Sequence, residues 1–310
     1  MEKPGNTLHA ISKLEKFKME DRLEHILNEI EELPTLPVVS QRILELMADE
    51  NASNRDIARL VENDQSLALK IMKIANSAFF GSLTRINSLE QAMVKLGMNE
   101  VRSIVLAVSV YDFFSNSDSG VFDRRRFWKH GIVCSQAAKY LDNYFRTGND
   151  TLFISGLVHD MGKAVLDEYF HDEFLSIINY LELKRCTFSE AEKTVIGITH
   201  SHIAARLLNQ WKFPDNIIHQ ILYHHTPWED KNYEKGSILL YLADIITKAA
   251  GYSCHADEEE ADLQAFSRSG QADYINKNGF KLDYKTLEKF VNHVRESIAE
   301  EADNMMRFFD

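Results

Sequence analysis

The chain has 310 residues and a formal charge of −12, with 45% apolar and 26% charged residues and only 5 prolines. That length can bury one large core or two modest ones, so most of the chain should fold. The acidic balance argues against a general nucleic-acid binder, which needs a basic face, and no run of about 18 apolar residues offers a membrane span.

Cys134, Cys186 and Cys254 are far apart and odd in number. No disulfide framework or zinc ribbon follows, and buried thiols in a reducing cytosol are expected. Met1-Glu2-Lys3-Pro4-Gly5 lacks the apolar stretch of a secretory signal, so the expected location is the cytoplasm.

Residues 1–22 read as a polar arm. Leu23, Ile26, Leu27 and Ile30 then follow helical spacing. Pro34 and Pro37 interrupt it, and Pro37 suits the first turn of a helix carrying Val38, Ile43, Leu44 and Met47. Ser53 or Asn54 can cap a helix with Ile57, Leu60 and Val61. The next runs from Asp64 to Ala78, with a stop at Gly81. Ser88 opens another, holding Leu89, Ala92, Met93 and Leu96 and closed by Gly97. Val101 to Phe114 is almost wholly apolar and should be central. Asn76, Ser77 and Arg102 are polar groups in apolar company, expected to tie helix ends.

Ser115-Asn116-Ser117-Asp118-Ser119-Gly120 is the clearest linker. Beyond it, Phe127 to Phe145 is helical and contains His130. Thr147 to Asp150 turns into an apolar helix that delivers His159-Asp160 to the interior. Leu166 to Leu183 is amphipathic, and a helix from His200 runs to Trp211. Pro214 opens a helix ending at His224-His225, and Ser237 to Ala250 contains Asp244. The acidic run Asp257 to Asp262 reads as a solvated loop. Leu287, Phe290, Val291, Val294 and Ile298 mark a helical tail that should pack back on the body. No segment alternates with period two. The expected class is therefore all-α, in two packed helical bundles, at 23–116 and 121–250, with an extension at 251–310.

His130, His159, Asp160, His200, His224, His225 and Asp244 fall in five helices or helix ends, each beside an apolar face. Each alone reads as an ordinary core or surface group. Imidazoles and carboxylates facing a helical core are costly unless paired or metal-bound, so convergence of all seven would make a site for one or two divalent metals. Mixed nitrogen and oxygen donors favour iron or manganese, then zinc, over calcium. His171, His202, His219, His255 and His293 are weaker candidates. A metal there would activate water toward a phosphate ester, with Asp160 and Lys163 as candidate catalytic residues and the lysine steadying phosphate charge. No Ser-His-Asp or Cys-His pattern and no Gly-rich phosphate loop stands out.

The order of an early His, His-Asp, a later His, paired His and a late Asp resembles the HD superfamily of metal-dependent phosphohydrolases. His159-Asp160-Met161-Gly162-Lys163 is similar to the His-Asp-x-Gly-Lys motif of the HD-GYP branch. Leu36-Pro37, Ile57 to Asp64, Leu69 to Gly81, Leu96-Gly97 and Val101-Arg102 resemble an HDOD domain. That resemblance implies an HD-like second bundle in a bacterial signalling output protein. Such a protein would act through signalling protein partners and keep a divalent metal site that could hold a phosphate or nucleotide. It leaves open an active phosphohydrolase on a nucleotide or cyclic nucleotide. Two positions depart from the HD-GYP branch. Arg126 stands where that branch has a Glu, and Thr226-Pro227-Trp228 replaces its Gly-Tyr-Pro segment.

Overall fold

Polar side chains close several of the open helix starts. Asp64 accepts from the Leu67 amide, Ser88 from Gln91, Asp123 from Arg126 and Asp283 from Thr286. Thr187 and Glu190 form a reciprocal capping box. The computed structural model describes residues 25–26, 28–30, 33, 36–48, 54–76, 86–114, 122–256, 258, 261–298, 302–303 and 306. Helix is the regular structure throughout these residues, with no strand among them.

The first bundle comprises α1 (Val38–Ala48), α2 (Asn54–Glu62), α3 (Gln65–Ala75), α4 (Leu89–Leu96) and α5 (Met98–Phe114). Pro37 sits just ahead of α1, where its carbonyl accepts from Ser40 and Gln41. Helix α2 begins at Asn54 itself, and Ser53 lies outside the described residues. Helix α3 stops at Ala75, short of the expected Ala78, because Asn76 leaves the helix. Its side chain donates to the Met72 and Ile86 carbonyls and accepts from the Ile86 amide. Asn76 therefore ties a helix end to the following loop, while Ser77 and Gly81 lie outside the described residues. Helix α5 buries Val101, Ile104, Val105, Leu106, Val108 and Val110. It packs against α7 of the second bundle. The arm at 1–22 and the linker at 115–120 lie outside the described residues.

The second bundle contains α6 (Arg124–Phe145), α7 (Leu152–Val158), α8 (Met161–Tyr169), α9 (His171–Lys184), α10 (Phe188–Val195), α11 (His200–Gln210), α12 (Asp215–Leu222) and α13 (Glu234–Ala249). Two expected helices are each divided. The helix leading to His159 ends at Val158 and restarts at Met161, and Phe170 (φ −132°, ψ 50°) separates α8 from α9. Helix α7 crosses α6 at backbone contact. A Cβ on Gly156 would lie 2.6 Å from the Ser135 Cα, and one on Gly131 would lie 2.6 Å from the Leu157 carbonyl oxygen. Only residues without side chains allow that approach, which lays His130 beside His159.

Beyond residue 250, α14 (Leu263–Ser267) and α15 (Gly270–Lys277) are helices that periodicity did not predict. Helix α16 (Tyr284–His293) continues into a π turn at Val294–Ile298. Its Leu287, Phe290, Val291, Val294 and Ile298 are all buried. Phe290 meets Tyr144 edge-on at 4.9 Å, so this extension packs on α6 as expected. A continuous apolar core runs from Ile26 to Met306. No helix among the described residues is long and apolar enough to cross a membrane.

Candidate metal centre

Five places in the second bundle converge on one point. Helix α6 supplies His130 from its second turn, and the α7–α8 junction supplies His159 and Asp160. His200 is the first residue of α11, His224 and His225 follow α12, and Asp244 comes from α13. Asp160 lies between two groups of nitrogens. Its Oδ2 is 3.5 Å from Nε2 of both His130 and His159. Its Oδ1 is 3.1 Å from His200 Nε2 and 3.8 Å from His224 Nε2. On the first side Asp244 Oδ1 lies 3.3 Å from His130 Nε2 and 3.8 Å from His159 Nε2. On the second, His225 Nε2 is 3.1 Å from His200 Nε2. The donor atoms of Asp160, His200, His224 and His225 all lie within 4.8 Å of one another, as do those of His130, His159 and Asp160.

Four rings are held from behind, each through Nδ1. His130 donates to the Tyr252 carbonyl at 2.5 Å, His159 to Gly156 at 2.8 Å and His224 to Ile221 at 2.6 Å. His200 donates to the Glu192 carboxylate at 2.7 Å. A carbonyl or carboxylate acceptor requires the proton on Nδ1, so in the neutral ring each Nε2 presents its lone pair inward. Asp160 Oδ1 and Asp244 Oδ1 are buried and accept no hydrogen bond. With the rings neutral, lone pairs on nitrogen and oxygen face each other across 3–4 Å, a repulsive arrangement that a proton or a metal ion relieves. The donor chemistry fits a divalent cation on each side of Asp160, with outer partners of the kind that orient metal-binding imidazoles.

Burial pushes the Asp160 carboxyl up, but His159, then Lys163 and His200, outweigh it and hold it well below the usual range. Burial likewise raises the Asp244 carboxyl, and Lys248, His130 and His159 bring it well down. Burial lowers His224 and His225 well below the ordinary imidazole, and their neighbouring imidazoles lower them further. Burial also lowers His159 and His200, but Asp160 brings His159 well above the ordinary imidazole and Glu192 brings His200 above it, so a metal entering here displaces protons from these two rings to reach the neutral form that ligates.

Lys163 is 0% exposed. Its ammonium is 2.8 Å from Asp160 Oδ2 and 3.1 Å from Cys254 Sγ, and it lies over the Phe188 ring at 4.5 Å. It projects toward the carboxylate of the His-Asp pair, and its contacts are all internal. Arg126, at the position where the HD-GYP branch has a Glu, holds Ser253 through its carbonyl at 2.9 Å and hydroxyl at 3.0 Å. The weaker histidines lie outside the group. His202 is exposed beside Thr199, His219 meets Asp230, and His293 stacks on Tyr140.

Periodicity missed two carboxylates. Glu192 is 0% exposed and binds both the His200 ring and its amide. It stands in a polar stretch eight residues before His200, with no apolar spacing to mark it. Glu258 departs from the solvated loop expected for the acidic run: it is buried and pairs with Lys248 at 2.8 Å.

Asp230 organises the segment after the paired His. Its Oδ1 accepts from the Asn232 and Tyr233 amides at 3.0 Å, and Oδ2 accepts from the Ser237 hydroxyl at 2.6 Å. Burial raises this carboxyl, but Ser237, Tyr233, Asn232 and His219 together bring it below its ordinary value. A depressed carboxyl stabilises the fold above the unfolded-state pKa of about 3.9, and that stabilisation disappears as pH falls through the folded-state value. Asp230→Asn is expected to cost about 1–3 kcal/mol at pH 7 and to flatten the acid limb of stability. Urea melts between pH 3 and 7 check this, and a variant with the same acid limb as the parent would contradict it.

The HDOD domain model matches residues 33–227, more than half of the sequence. The chain belongs to the HDOD family. An HDOD domain protein of unknown function from Geobacter sulfurreducens has a similar fold, with a TM-score of 0.76 at 21% identity over 93% of this chain and 98% of that one. A protein provisionally named a phosphohydrolase, from Shewanella amazonensis SB2B, aligns with a TM-score of 0.72 at 21% identity over 92% and 98%. Among curated proteins, an uncharacterized protein of Treponema pallidum (strain Nichols) is 24% identical over 206 residues. That match takes in 65% of the HDOD chain described here but 39% of the relative, so the chain spans about two fifths of that relative's length.

Proposed function

We propose that this HDOD protein is a metal-dependent signalling regulator. Its HD-like bundle holds up to two divalent ions, iron or manganese ahead of zinc, and it acts mainly through contacts with signalling protein partners. The observation that carries this reading is the enclosure of the candidate ligands. His130, His159, Asp160, His200, His224 and Asp244 are each at most 3% exposed, and His225 alone is partly open. A closed centre suits an ion that shapes the bundle better than one that turns over substrate. The outer partners at Glu192, Gly156, Ile221 and Tyr252 support metal binding in particular.

One observation favours a second reading. A carboxylate shared between two ligand groups is the arrangement of two-metal hydrolytic centres, and His225 stands at the accessible edge. There a nucleotide or cyclic nucleotide phosphate would be the ligand. Divalent metal, when bound, supplies Lewis acidity and an activated water. Asp160 would orient the two ions, and Lys163 would hold Asp160 ionised from behind. No contact from Lys163 to a phosphate enters this reading.

Protein purified without chelator and loaded with manganese or iron separates the readings when assayed on a generic aryl phosphodiester. Stoichiometric metal with no cleavage above the metal-only control is the expected result. Cleavage that disappears in His159→Ala would replace the regulator with the hydrolase.

A further inference from the structure

We propose that Glu258 is a positioning residue for the His130 side of the centre, acting through Lys248 on Asp244. The inference rests on the metal reading above and names what tunes one half of it. Asp244 has two oxygens in different company. Oδ1 faces His130 and His159 without a hydrogen bond, while Oδ2 lies 3.0 Å from the Lys248 ammonium. The same ammonium is 2.8 Å from Glu258 Oε1. Lys248, its side chain 12% exposed, is therefore a largely enclosed cation beside a carboxylate that must attract another cation, and Glu258 supplies the compensating negative charge.

The segment around Glu258 touches the first side repeatedly. The Tyr252 carbonyl fixes His130, and Arg126 grips Ser253. Cys254 Sγ bridges Lys163 at 3.1 Å and Glu258 Oε2 at 3.3 Å. On the other side, the outer carboxylate is Glu192, which acts on His200 directly. The two halves thus have separate outer anions, one reaching a ring and one reaching a carboxylate through a lysine.

The sign of the effect follows from charge. Without Glu258 the full positive charge of Lys248 bears on Asp244 and repels metal at Oδ1. Without Lys248 the repulsion goes, and Asp244 binds metal at least as well. A merely structural role for the pair would weaken binding whichever partner is lost.

The test is manganese titration of the full chain, by calorimetry and by metal analysis after dialysis, with thermal melts alongside. Glu258→Gln is expected to lower affinity in one of two site classes by about tenfold to a hundredfold, the range for outer partners of metal ligands, and to leave the other class alone. Lys248→Met should bind no more weakly than the parent, and Glu258→Gln combined with Lys248→Met should recover most of the loss. Unchanged affinity in Glu258→Gln, an equal loss in both classes, or no recovery in the double variant overturns the proposal alone. If Glu258→Gln does not fold, weakened binding in Lys248→Met overturns it instead. A parent that retains no metal overturns this proposal together with the metal reading.

Discussion

Asp160→Asn should empty both sides of the centre at once. Asp160 alone belongs to both ligand groups, one oxygen facing His130 and His159 and the other His200 and His224. An amide keeps the volume but removes the charge and turns one acceptor into a donor aimed at a cation. Affinity should fall by more than the ~100-fold upper range for lost outer partners, because a ligand itself is lost. His130→Ala, by contrast, should weaken one side and spare the other. A second consequence separates charge from ligation. Lys163 is fully buried and relies on Asp160 as its anionic partner, so Asp160→Asn leaves that cation uncompensated. Removing one member of a buried pair costs about 3–5 kcal/mol. Asp160→Asn combined with Lys163→Met should therefore regain stability without regaining metal. Elemental analysis and a chemical melt of the two variants decide it. Retention of one tightly bound ion by Asp160→Asn would show that the sides do not share this carboxylate.

The seven candidate ligands were legible because each is a His or Asp set against apolar helical spacing, where such a residue is conspicuous. His159 and Asp160 announced themselves by adjacency, and His224 and His225 likewise. Glu192 and Glu258 were not legible in the same way. They sit in stretches rich in other charges, and only the chain's return toward His200 and Lys248 buries them. The helical class and the main helices followed from periodicity, and Asp64 and Ser88, where two starts were expected, cap those helices. Helix ends were harder. Nothing local marks the break at His159-Asp160, since Leu157, Val158, Met161 and Ala164 keep helical spacing across it. The break follows from tertiary contact, where α8 is drawn against the start of α11. The short α14 and α15 were missed because helices of that length have little periodicity to read.

That contact yields the second large expected effect. Gly162 lies inside α8. A Cβ on it would lie 2.1 Å from the His200 carbonyl oxygen, 2.7 Å from its carbonyl carbon and 2.9 Å from its Cα. All three are backbone atoms at the first residue of α11, so no side-chain rotation relieves them. Gly162→Ala must separate α8 from α11, and that separation carries Asp160 from the His200 ring, now 3.1 Å away. Overpacking of this kind costs about 1–3 kcal/mol, and unyielding backbone places it at the upper end. At roughly 2–4 °C per kcal/mol for a domain of 150–250 residues, the melting temperature should drop by several degrees. Metal should be lost first from the side built on His200, His224 and His225, which rides on α11 and α12. Gly270→Ala is the matching control, because a Cβ there meets nothing within 4 Å. It starts α15, so alanine should leave stability unchanged or raise it slightly. A Gly162→Ala protein that melts with the parent and holds the same metal would mean that backbone contact between α8 and α11 does not set the distance from Asp160 to His200.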